Sequence, residues 1–522
     1  MLFSNRDLKK LLIPLVIEQV LVMLVGMVDT VMVSSVGESA VSGVALVDMV
    51  NYLVITVLTA LTTGGAVILS QYLGSGQPDK AEFSAGQLMA VSAVFSTGIA
   101  ALCILFRQVI LHLFFGAVEP AVMDAALMYF FVTACSFPFL GIYNAAAAQF
   151  RAMSRTNITM YVSLLMNAIN IVGDFIGVSL LQAGVLGVAV PTLISRAIAA
   201  ILLSALAFRP VNQVRLRWSS ILAWSQADIR RILRIAVPGG IENGLFALGK
   251  VLVTSVVSQF GTVQIAANGV SNSINQIAII VVNAVNLAVI TVVGQCIGAR
   301  EYEQAEHYTK KLMKISYIST AILGGAVCLS LPLILRFYRL EPETLRLAAL
   351  LIIMHNLMAI ALDPTSFNLA NSLRAAGDVK YTMYVGVFSM IAFRLGSALL
   401  FGIVLGWGVV GVWIAMGMDW LARSVCFMYR YHKKIWRSFH VIAGRQDDFA
   451  GTCGGLGVPG RQPATAFPVD GAADLQRTVD LIEVFPLEAA DLAAAQASSQ
   501  FCVEEIVPDF ILRNNLTDIF PH

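Results

Sequence analysis

Residues 14–37 read PLVIEQVLVMLVGMVDTVMVSSVG and residues 238–261 read PGGIENGLFALGKVLVTSVVSQFG. Both stretches run from a proline to a glycine over the same length, and Glu18 and Thr30 of the first fall on Glu242 and Thr254 of the second. The same offset along the chain pairs further identical residues outside both stretches: Asn51 with Asn275, Gln71 with Gln295, Gly74 with Gly298, and Glu82 with Glu306. The sequence therefore predicts a tandem duplication of one folding unit.

The composition indicates that this unit lies in a lipid bilayer. The 522 residues are 58% hydrophobic and 13% charged, with a mean hydropathy of +0.78. Apolar runs long enough to cross a bilayer, which takes about 20 residues, occur at 11–36, 43–72, 86–113, 125–150, 156–182, 185–208, 235–259, 265–295, 312–335, 345–372, 380–405 and 408–430. We therefore predict an all-α integral membrane protein with twelve transmembrane helices in two six-helix repeats.

Lysine and arginine residues predict the orientation of these helices. They cluster at the N-terminus and in alternate linkers, for example near Lys80, Arg300 and Arg430, whereas the other linkers carry none, with one exception near Arg336. The positive-inside rule then predicts a multi-pass protein of the cell membrane with both termini in the cytoplasm. Because six spans is an even number, the two lobes, 1–220 and 221–440, are expected to be related by a pseudo-twofold axis along the membrane normal, with a cavity between them.

Polar side chains inside the spans predict a cation site. A carboxylate at the bilayer centre costs about 2.5 to 3.5 kcal/mol on insertion scales, so each one needs a partner, water or a function. Asn170 and Asp174 lie one turn apart on a polar face of the fifth span and can share a proton or a small cation. Asp29, which follows Pro14 in the first span, is a further candidate for a functional carboxylate.

A stripe of asparagines in the eighth span predicts the wall of a substrate cavity. On one continuous helix, all five fall within an arc of roughly 80°: Asn268, Asn272, Asn275, Asn283 and Asn286. The duplicated positions in the second span include Asp48 and Asn51. Two such helices facing a central cleft is the simplest arrangement, and the alternative is that the amides only join helices by hydrogen bonds.

Other residues in the spans leave alternatives open. Pro14 lacks an N–H and is expected either to act as a hinge in the first span or to sit harmlessly in its first turn. For Glu18 and Glu242 we expect side chains that reach the interface or bond backbone groups freed by the preceding proline. Of the three intramembrane cations, one is expected to pair with a carboxylate: Arg196, Lys250 and Arg394.

No catalytic or cofactor motif appears in the spans. The seven cysteines show no CxxC spacing, and the chain has no HExxH motif and no Walker A loop. We therefore expect a protein that is not an enzyme, that holds no cofactor and no resident metal, and that binds no nucleic acid. Its expected partners are the bilayer and a small organic molecule, and we expect a monomer.

Several motifs, in the order and spacing typical of the family, resemble the multidrug and toxic compound extrusion (MATE) family over about residues 7–437. They are Val28-Asp29-Thr30 within the first span, Gln71-Tyr-Leu-Gly74 at the end of the second, and Leu373-Arg374-Ala-Ala-Gly-Asp378 after the tenth. The loop after the second span, Gly74-Ser-Gly-Gln-Pro-Asp-Lys80, lacks the charged pattern that is typical of the major facilitator superfamily.

The resemblance implies positions for the ion site. The N-lobe cation site of the family maps onto Asp29, Asn170, Asp174 and Thr192, where Na⁺ or H⁺ would bind. Asp363 stands where many members place an acidic residue and is expected in the substrate cavity. Phe246 replaces a glutamate of some sodium-coupled members, which favours coupling through the N-lobe.

The resemblance also implies a function, a cation-coupled antiporter, driven by H⁺ or Na⁺, that exports amphipathic and often cationic organic compounds by alternating access. A flippase for a lipid-linked precursor is an alternative, but it would require a strongly basic cavity, and the polar stripes read as neutral and acidic. A membrane sensor or scaffold that signals through the C-terminal tail is another alternative.

The tail has a different composition from the spans. Residues 443–522 carry four arginines and no lysine against twelve acidic residues, a net charge of −8. We interpret residues 441–522 as an acidic cytoplasmic tail. Its last part weakly resembles a degenerate fragment of a histidine-kinase-like ATPase, with Glu504 and Glu505 in the helix motif and Asp509 where the metal-binding asparagine belongs.

Overall fold

The computed structural model describes residues 2–442 except 117, 337, 339 and 440, so the tail interpretation for 443–522 lies outside the described residues. Within this part all regular elements are helices, and twelve are long and apolar enough to cross a membrane, which confirms the predicted class and number of spans. In chain order the spans are Asn5–Ser34, Glu38–Gly74, Pro78–Leu105, Pro120–Ala152, Thr156–Leu180, Leu186–Ala207, Gln226–Phe260, Ile280–Gly298, Tyr302–Leu335, Pro342–Ala376, Val379–Val404 and Gly408–His432.

The two halves of the chain repeat one packing pattern. The first span packs on the fifth as the seventh packs on the eleventh, and the fourth contacts the third and sixth as the tenth contacts the ninth and twelfth. Small residues in the fourth span, such as Ala146 and Ala147, are fully buried and let neighbouring helices approach closely. This pattern confirms the prediction of two six-helix repeats.

Helices of the two halves meet along the second, seventh and eighth spans. At one end Gly74 lies against the main-chain carbonyl of Gln295, and Gly298 lies against the carbonyl of Gln71, so a Cβ atom at either glycine would overlap that oxygen. These two positions require glycine because the backbones themselves are in contact. The second and eighth spans therefore close the space between the halves at this end.

The two glutamines reinforce this closure in a symmetric manner. Gln71 Nε2 donates to the carbonyl oxygen of Ala375 at 2.8 Å, and Gln295 Nε2 donates to that of Ala152 at 2.7 Å. Each bond joins one half to the other, and the two bonds are related by the internal repeat. We call the four residues Gln71, Gly74, Gln295 and Gly298 the closure contact.

Three spans in the described part of the chain contain π-helical segments, and two of these segments follow a buried carboxylate. Phe175–Leu180 follows Asp174 in the fifth span, and the segment recurs at the repeat-related position in the eleventh span as Leu399–Val404. Pro364–Asn368 follows Asp363 in the tenth span in the same way. Widened turns of this kind cost helix stability and occur frequently at functional sites.

The predicted continuous eighth helix over 265–295 is wrong. A helix Thr262–Asn275 ends in a turn, and the spanning helix begins at Ile280, whereas the repeat-related second span is unbroken from Glu38 to Gly74. The Ala278 N–H donates to the Asn275 carbonyl three residues earlier, which tightens this turn. The five asparagines therefore do not share one face of one helix.

Candidate ion and substrate sites

The four residues predicted for the cation site come together in the N-terminal half. Asn170 Nδ2 lies 3.4 Å from Asp174 Oδ1 and 3.2 Å from Thr192 Oγ1, to which it donates. Asp174 is fully buried and Asn170 nearly so, while Asp29 and Thr192 are half-buried. Residues from the first, fifth and sixth spans thus form one polar cluster inside the bundle.

The carboxyl groups of Asp29 and Asp174 lie close enough to form a hydrogen bond with each other. One oxygen of each, Asp29 Oδ1 and Asp174 Oδ2, is buried without a donor among the described residues. Two facing carboxylates repel unless something positive lies between them. The pair is therefore suited to hold either a shared proton or a small cation.

A cavity of about 310 Å³, here called the N-lobe cavity, opens beside this cluster. Asp29 and Thr192 line it, together with Asp48 and Asn51 of the second span. Asp48 Oδ1 accepts hydrogen bonds at 3.4 Å from Asn51 Nδ2 and from the Tyr129 hydroxyl. We expected Asp48 and Asn51 to face a central cleft, and both line the cavity beside the predicted ion site.

Sequence reasoning missed two residues of the N-lobe cavity, Arg196 and Tyr129. Arg196 had been noted only as an intramembrane cation, and its Nη1 donates to the Ser136 hydroxyl at 2.7 Å. Its guanidinium lines this cavity together with Asp29 and Asp48. Tyr129 carries no sequence signal because a tyrosine in an apolar span looks like core.

A larger cavity of about 590 Å³ separates the second and seventh spans, and we call it the inter-lobe cavity. Asp48 and Lys250 are its charged residues, and most of its wall is apolar, including Met49, Phe114 and Leu248. Asp48 lines both the N-lobe and the inter-lobe cavities. An organic molecule in one and an ion in the other would therefore both contact the second span.

A third cavity of about 230 Å³ lies within the C-terminal half and is called the C-lobe cavity. Asn268 and Asn272 line it with Lys250 and Arg394, and Asn268 Oδ1 accepts a 2.9 Å hydrogen bond from the Trp413 indole N–H. The stripe residues in this wall are neutral, as the sequence indicates, but two cations from other helices line the same cavity.

The remaining asparagines of the predicted stripe separate. Asn275 is buried, and its Oδ1 accepts a 3.2 Å hydrogen bond from Asn356 Nδ2 of the tenth span. Asn283 is exposed, whereas Asn286 Oδ1 accepts from Asn368 Nδ2 at 2.8 Å. Asn275 and Asn286 therefore join helices, as the alternative interpretation held.

Asp363 is buried at the start of the π-helical segment in the tenth span. One of its oxygens, Oδ2, has no donor among the described residues, but Asp363 is absent from the walls of the three cavities named above. Phe246 lies under three cations, Lys250, Arg394 and Arg423, each between 5.2 and 5.5 Å from its ring centroid.

Glu18 and Glu242 do not extend to the membrane surface as expected. Glu18 is buried and pairs with Arg151 at 3.5 Å, and Glu242 pairs with Arg374 at 2.6 Å. Inside the bundle a carboxylate is more stable beside a guanidinium than beside an uncharged carbonyl or amide. Arg394 is the intramembrane cation that pairs with a carboxylate, that of Asp419, at 3.5 Å.

The family model for MatE matches residues 14–176 and again residues 238–400, which together make up more than half of the chain. The chain belongs to the MATE family. The two matches are equally long and are separated by the offset of the internal duplication, so each repeat of this MATE protein is one complete match.

Relatives match a larger share of the chain than the family model does. An uncharacterized transporter YisQ of Bacillus subtilis is 29% identical over 81% of this chain and 93% of its own length. A probable multidrug resistance protein NorM of Thermotoga maritima is 25% identical over 84% of this chain and 94% of its own.

Solved structures share the fold. An outward-facing MATE transporter superposes with a TM-score of 0.77 at 19% identity, covering 83% of this chain and 96% of that one. A MATE structure in the bent conformation gives 0.76 at 18% identity, over 83% and 96% of the two chains. A MATE structure in the straight conformation gives 0.76 at 19% identity, over 84% and 100%.

Pro14 of this MATE chain lies well inside its helix, which begins at Asn5. Whether it acts as a hinge or sits harmlessly in the early turns of the helix stays a prediction, which transport by a Pro14 variant tests. The proline leaves the Lys10 carbonyl without its helical donor, and the Thr156 hydroxyl of the fifth span lies 3.3 Å from that oxygen and 3.0 Å from the Leu11 oxygen. The first span is thus held at its proline by the helix that carries Asp174.

Proposed function

We propose that this MATE protein is a cation-coupled antiporter that exports amphipathic, often cationic organic compounds by alternating access. The observation that supports it best is the Asp29–Asp174 pair, in which one oxygen of each carboxyl group is buried without a donor among the described residues and which lies beside a cavity. H⁺ or Na⁺ would bind there with Asn170 and Thr192 as further ligands. One charge moved inward across about 150 mV supplies about 3.5 kcal/mol, enough for a roughly 300-fold gradient of a neutral compound.

Coupling requires that ion and substrate each bind the two transport states with different affinity. The second span connects the two ligands because Asp48 and Tyr52 line both the N-lobe and the inter-lobe cavities. Relatives have been solved in bent and straight conformations, and Pro14 gives the first span of this chain a bending point next to the fifth. A cation at Asp29 would then select one shape of the first span and substrate the other.

The proposal includes the arrangement of the two lobes and their orientation in the membrane. Residues 1–220 and 221–440 would be the moving lobes of a monomer in the cell membrane, with both termini in the cytoplasm. The closure contact lies beside the basic linkers at Lys80 and Arg300, the proposed cytoplasmic side. This arrangement would be the state that is closed toward the cytoplasm.

The test is efflux of a fluorescent cationic dye from proteoliposomes with an imposed pH or sodium gradient. We expect Asp29→Asn and Asp174→Asn each to abolish gradient-driven efflux at near-normal expression, because both variants remove the charge that holds the cation. Asp124→Asn changes an exposed carboxylate and serves as the matched control. Wild-type efflux by either site variant would refute the ion site.

The same vesicles test the sensor alternative. A chain ending at residue 442 is expected to transport at the wild-type rate if the tail is an appendage. Loss of transport after this truncation would favour a role for the tail instead.

A further inference from the structure

Lys250 stands where the C-lobe and inter-lobe cavities meet, since it lines both. Among the described residues it forms no ion pair, and its ammonium lies over the rings of Tyr52 and Phe246 at 5.7 and 5.4 Å from their centroids. A cation that no carboxylate neutralises is costly inside a membrane protein. Its place at the junction of two cavities gives it access to a ligand in either one.

Arg394 adds a second cation to the wall of the C-lobe cavity. The residue is 8% exposed, and its Nε is buried without an acceptor in the described part of the chain. Its one carboxylate contact, Nη1 to Asp419 Oδ2, is long at 3.5 Å. A buried guanidinium N–H that lacks an acceptor carries a desolvation cost that a bound anion would remove.

The neighbouring carboxylates do not balance these charges. Asp419 is shared with Arg423, whose Nε donates to Oδ1 at 2.9 Å. Glu242 is shared between Arg374 at 2.6 Å and Arg423 at 3.9 Å. Three arginines thus share two carboxylates, which leaves one positive charge in excess, and Lys250 adds another.

The shape of the two cavities suggests what the excess charge binds. The C-lobe cavity, about 230 Å³, also presents the amides of Asn272 and Gln276, which are exposed within it and can donate. The inter-lobe cavity, about 590 Å³, is mostly apolar and shares Lys250 and Thr254 with it. A small anionic group fits the first cavity while an apolar body attached to it occupies the second.

We propose that Lys250 and Arg394 form an anion subsite that binds the carboxylate of an amphipathic substrate whose apolar body lies in the inter-lobe cavity. A guanidinium and an ammonium together give the charge-assisted hydrogen bonds that a carboxylate prefers. The inference rests on the proposed transport function because it names a substrate class for the same cavity. Compounds that carry both a cation and a carboxylate would then be exported as well as purely cationic ones.

The test is equilibrium binding of two dyes to the full chain in lipid nanodiscs, read by fluorescence polarisation. Rhodamine B carries a free carboxylate, and its ethyl ester has the same ring cation without it. We expect wild-type protein to favour the acid and Lys250→Gln to lose about tenfold or more in affinity for the acid relative to the ester. Lys310→Gln removes an exposed lysine outside the cavities and should leave both affinities unchanged.

Arg394→Gln is expected to show the same selective loss, and Arg394→Lys to retain part of the preference. Because Arg394 is buried, a melting curve must show that its variants fold before their binding data are used. If they do not fold, the Lys250→Gln variant tests the proposal by itself. Equal losses for both dyes, no loss in Lys250→Gln, or a wild-type preference for the ester would overturn the proposal. Competition by chloride without a preference between the dyes would indicate an inorganic anion site and overturn it too.

Binding is measured without any gradient, so the outcome does not depend on coupled export. Selective binding in a protein that fails to transport would support the subsite and refute the antiporter. Gradient-driven efflux of the ester, together with binding that shows no Lys250-dependent preference for the acid, would support the antiporter and refute the subsite.

Discussion

At the scale of single residues, the two halves of the chain contain equivalent buried ion pairs. Glu18 and Glu242 are related by the internal repeat, and so are their partners Arg151 and Arg374, one residue out of step. The Thr159 hydroxyl donates to Glu18 Oε2 at 3.2 Å, which satisfies the second oxygen of that carboxylate. These pairs join the first span to the fourth and the seventh span to the tenth.

We therefore expect Glu18→Gln to lower stability by about 3 kcal/mol, because it leaves the buried Arg151 without its counter-charge. The melting temperature of the purified protein in detergent would measure this loss. The double variant Glu18→Gln with Arg151→Gln should recover part of it, and Glu38→Gln, which changes an exposed carboxylate, should have no effect. A double variant no more stable than the single one would argue against the pair.

Asn272 and Asn275 provide a second contrast between neighbouring residues. Asn272 lines the C-lobe cavity, whereas Asn275 accepts a hydrogen bond from Asn356. Asn272→Leu is thus expected to change the relative efflux of different dyes at normal stability. Asn275→Leu is expected to lower the melting temperature, since it removes the side-chain acceptor of the buried Asn356 amide at a cost of about 1 to 3 kcal/mol. The reverse assignment of the two effects would contradict these positions.

How much of the site could be predicted differs between residues. Asp29 and Asp174 stood out because a carboxylate in an apolar helix is costly. Helical spacing paired Asn170 with Asp174, and the family resemblance implied that all three share one site. The Arg196 side chain stood out for the same reason, but neither its position nor its partner follows from helical periodicity. Tyr129 could not be found, since its hydroxyl becomes a donor only through the packing of the fourth span on the second.

At the scale of single elements, the first span combines a proline with a tertiary contact. The Thr156 hydroxyl donates to backbone carbonyls next to the position where Pro14 removes an N–H. The fifth span therefore contacts the first where Pro14 interrupts its hydrogen bonds, and its own Asp174 contacts Asp29 further along.

We expect Pro14→Ala to slow dye efflux while ion affinity changes by no more than the bending energy, on the order of 1 to 3 kcal/mol. Alanine restores the missing helical hydrogen bond and favours the straight form. Efflux and equilibrium ion binding measured on one preparation would separate transport from binding. Pro238→Ala is the matched control because Val253, not an aspartate, occupies the repeat position of Asp29. Equal slowing by both substitutions would rule out a hinge specific to the first span.

The number of spans was predictable, but their irregularities were not. Hydropathy indicates where a helix crosses the membrane, and it says nothing of a turn at 276–279 or a π-helical segment after Asp174. Such features arise when neighbouring helices bond the backbone groups that a regular helix would use. The asparagines of the predicted stripe therefore lie on two helices and in different surroundings.

At the scale of the whole molecule, the closure contact limits how the two halves can separate. Gly298→Ala places a methyl group where the Gln71 carbonyl oxygen lies. Overpacking of this kind costs about 1 to 3 kcal/mol, so we expect the population to shift about 5- to 150-fold toward a form open at that end.

A single cysteine at Leu53, which lines the inter-lobe cavity, would report this shift in a chain without its native cysteines. Labelling by a membrane-impermeant thiol reagent from the cytoplasmic side should become faster in the Gly298→Ala background. Gly98→Ala adds a methyl group that meets nothing within 4 Å and should leave the rate unchanged. Unchanged labelling in Gly298→Ala would mean that this contact does not close the cavity.

The symmetry of that contact also bears on the history of the chain. Both halves still supply the same glutamine and the same glycine at the closure contact, as two identical subunits would at a twofold axis. Elsewhere the halves have diverged, since Val253 stands at the position equivalent to Asp29 and Gly26 at that of Lys250. In a dimer of identical subunits, every substitution appears in both copies. In a fused chain, one half can change while the other stays the same. The two halves of one duplicated fold thus contain cavities of opposite charge, the N-lobe cavity acidic and the C-lobe cavity basic. They still meet at a symmetric closure contact.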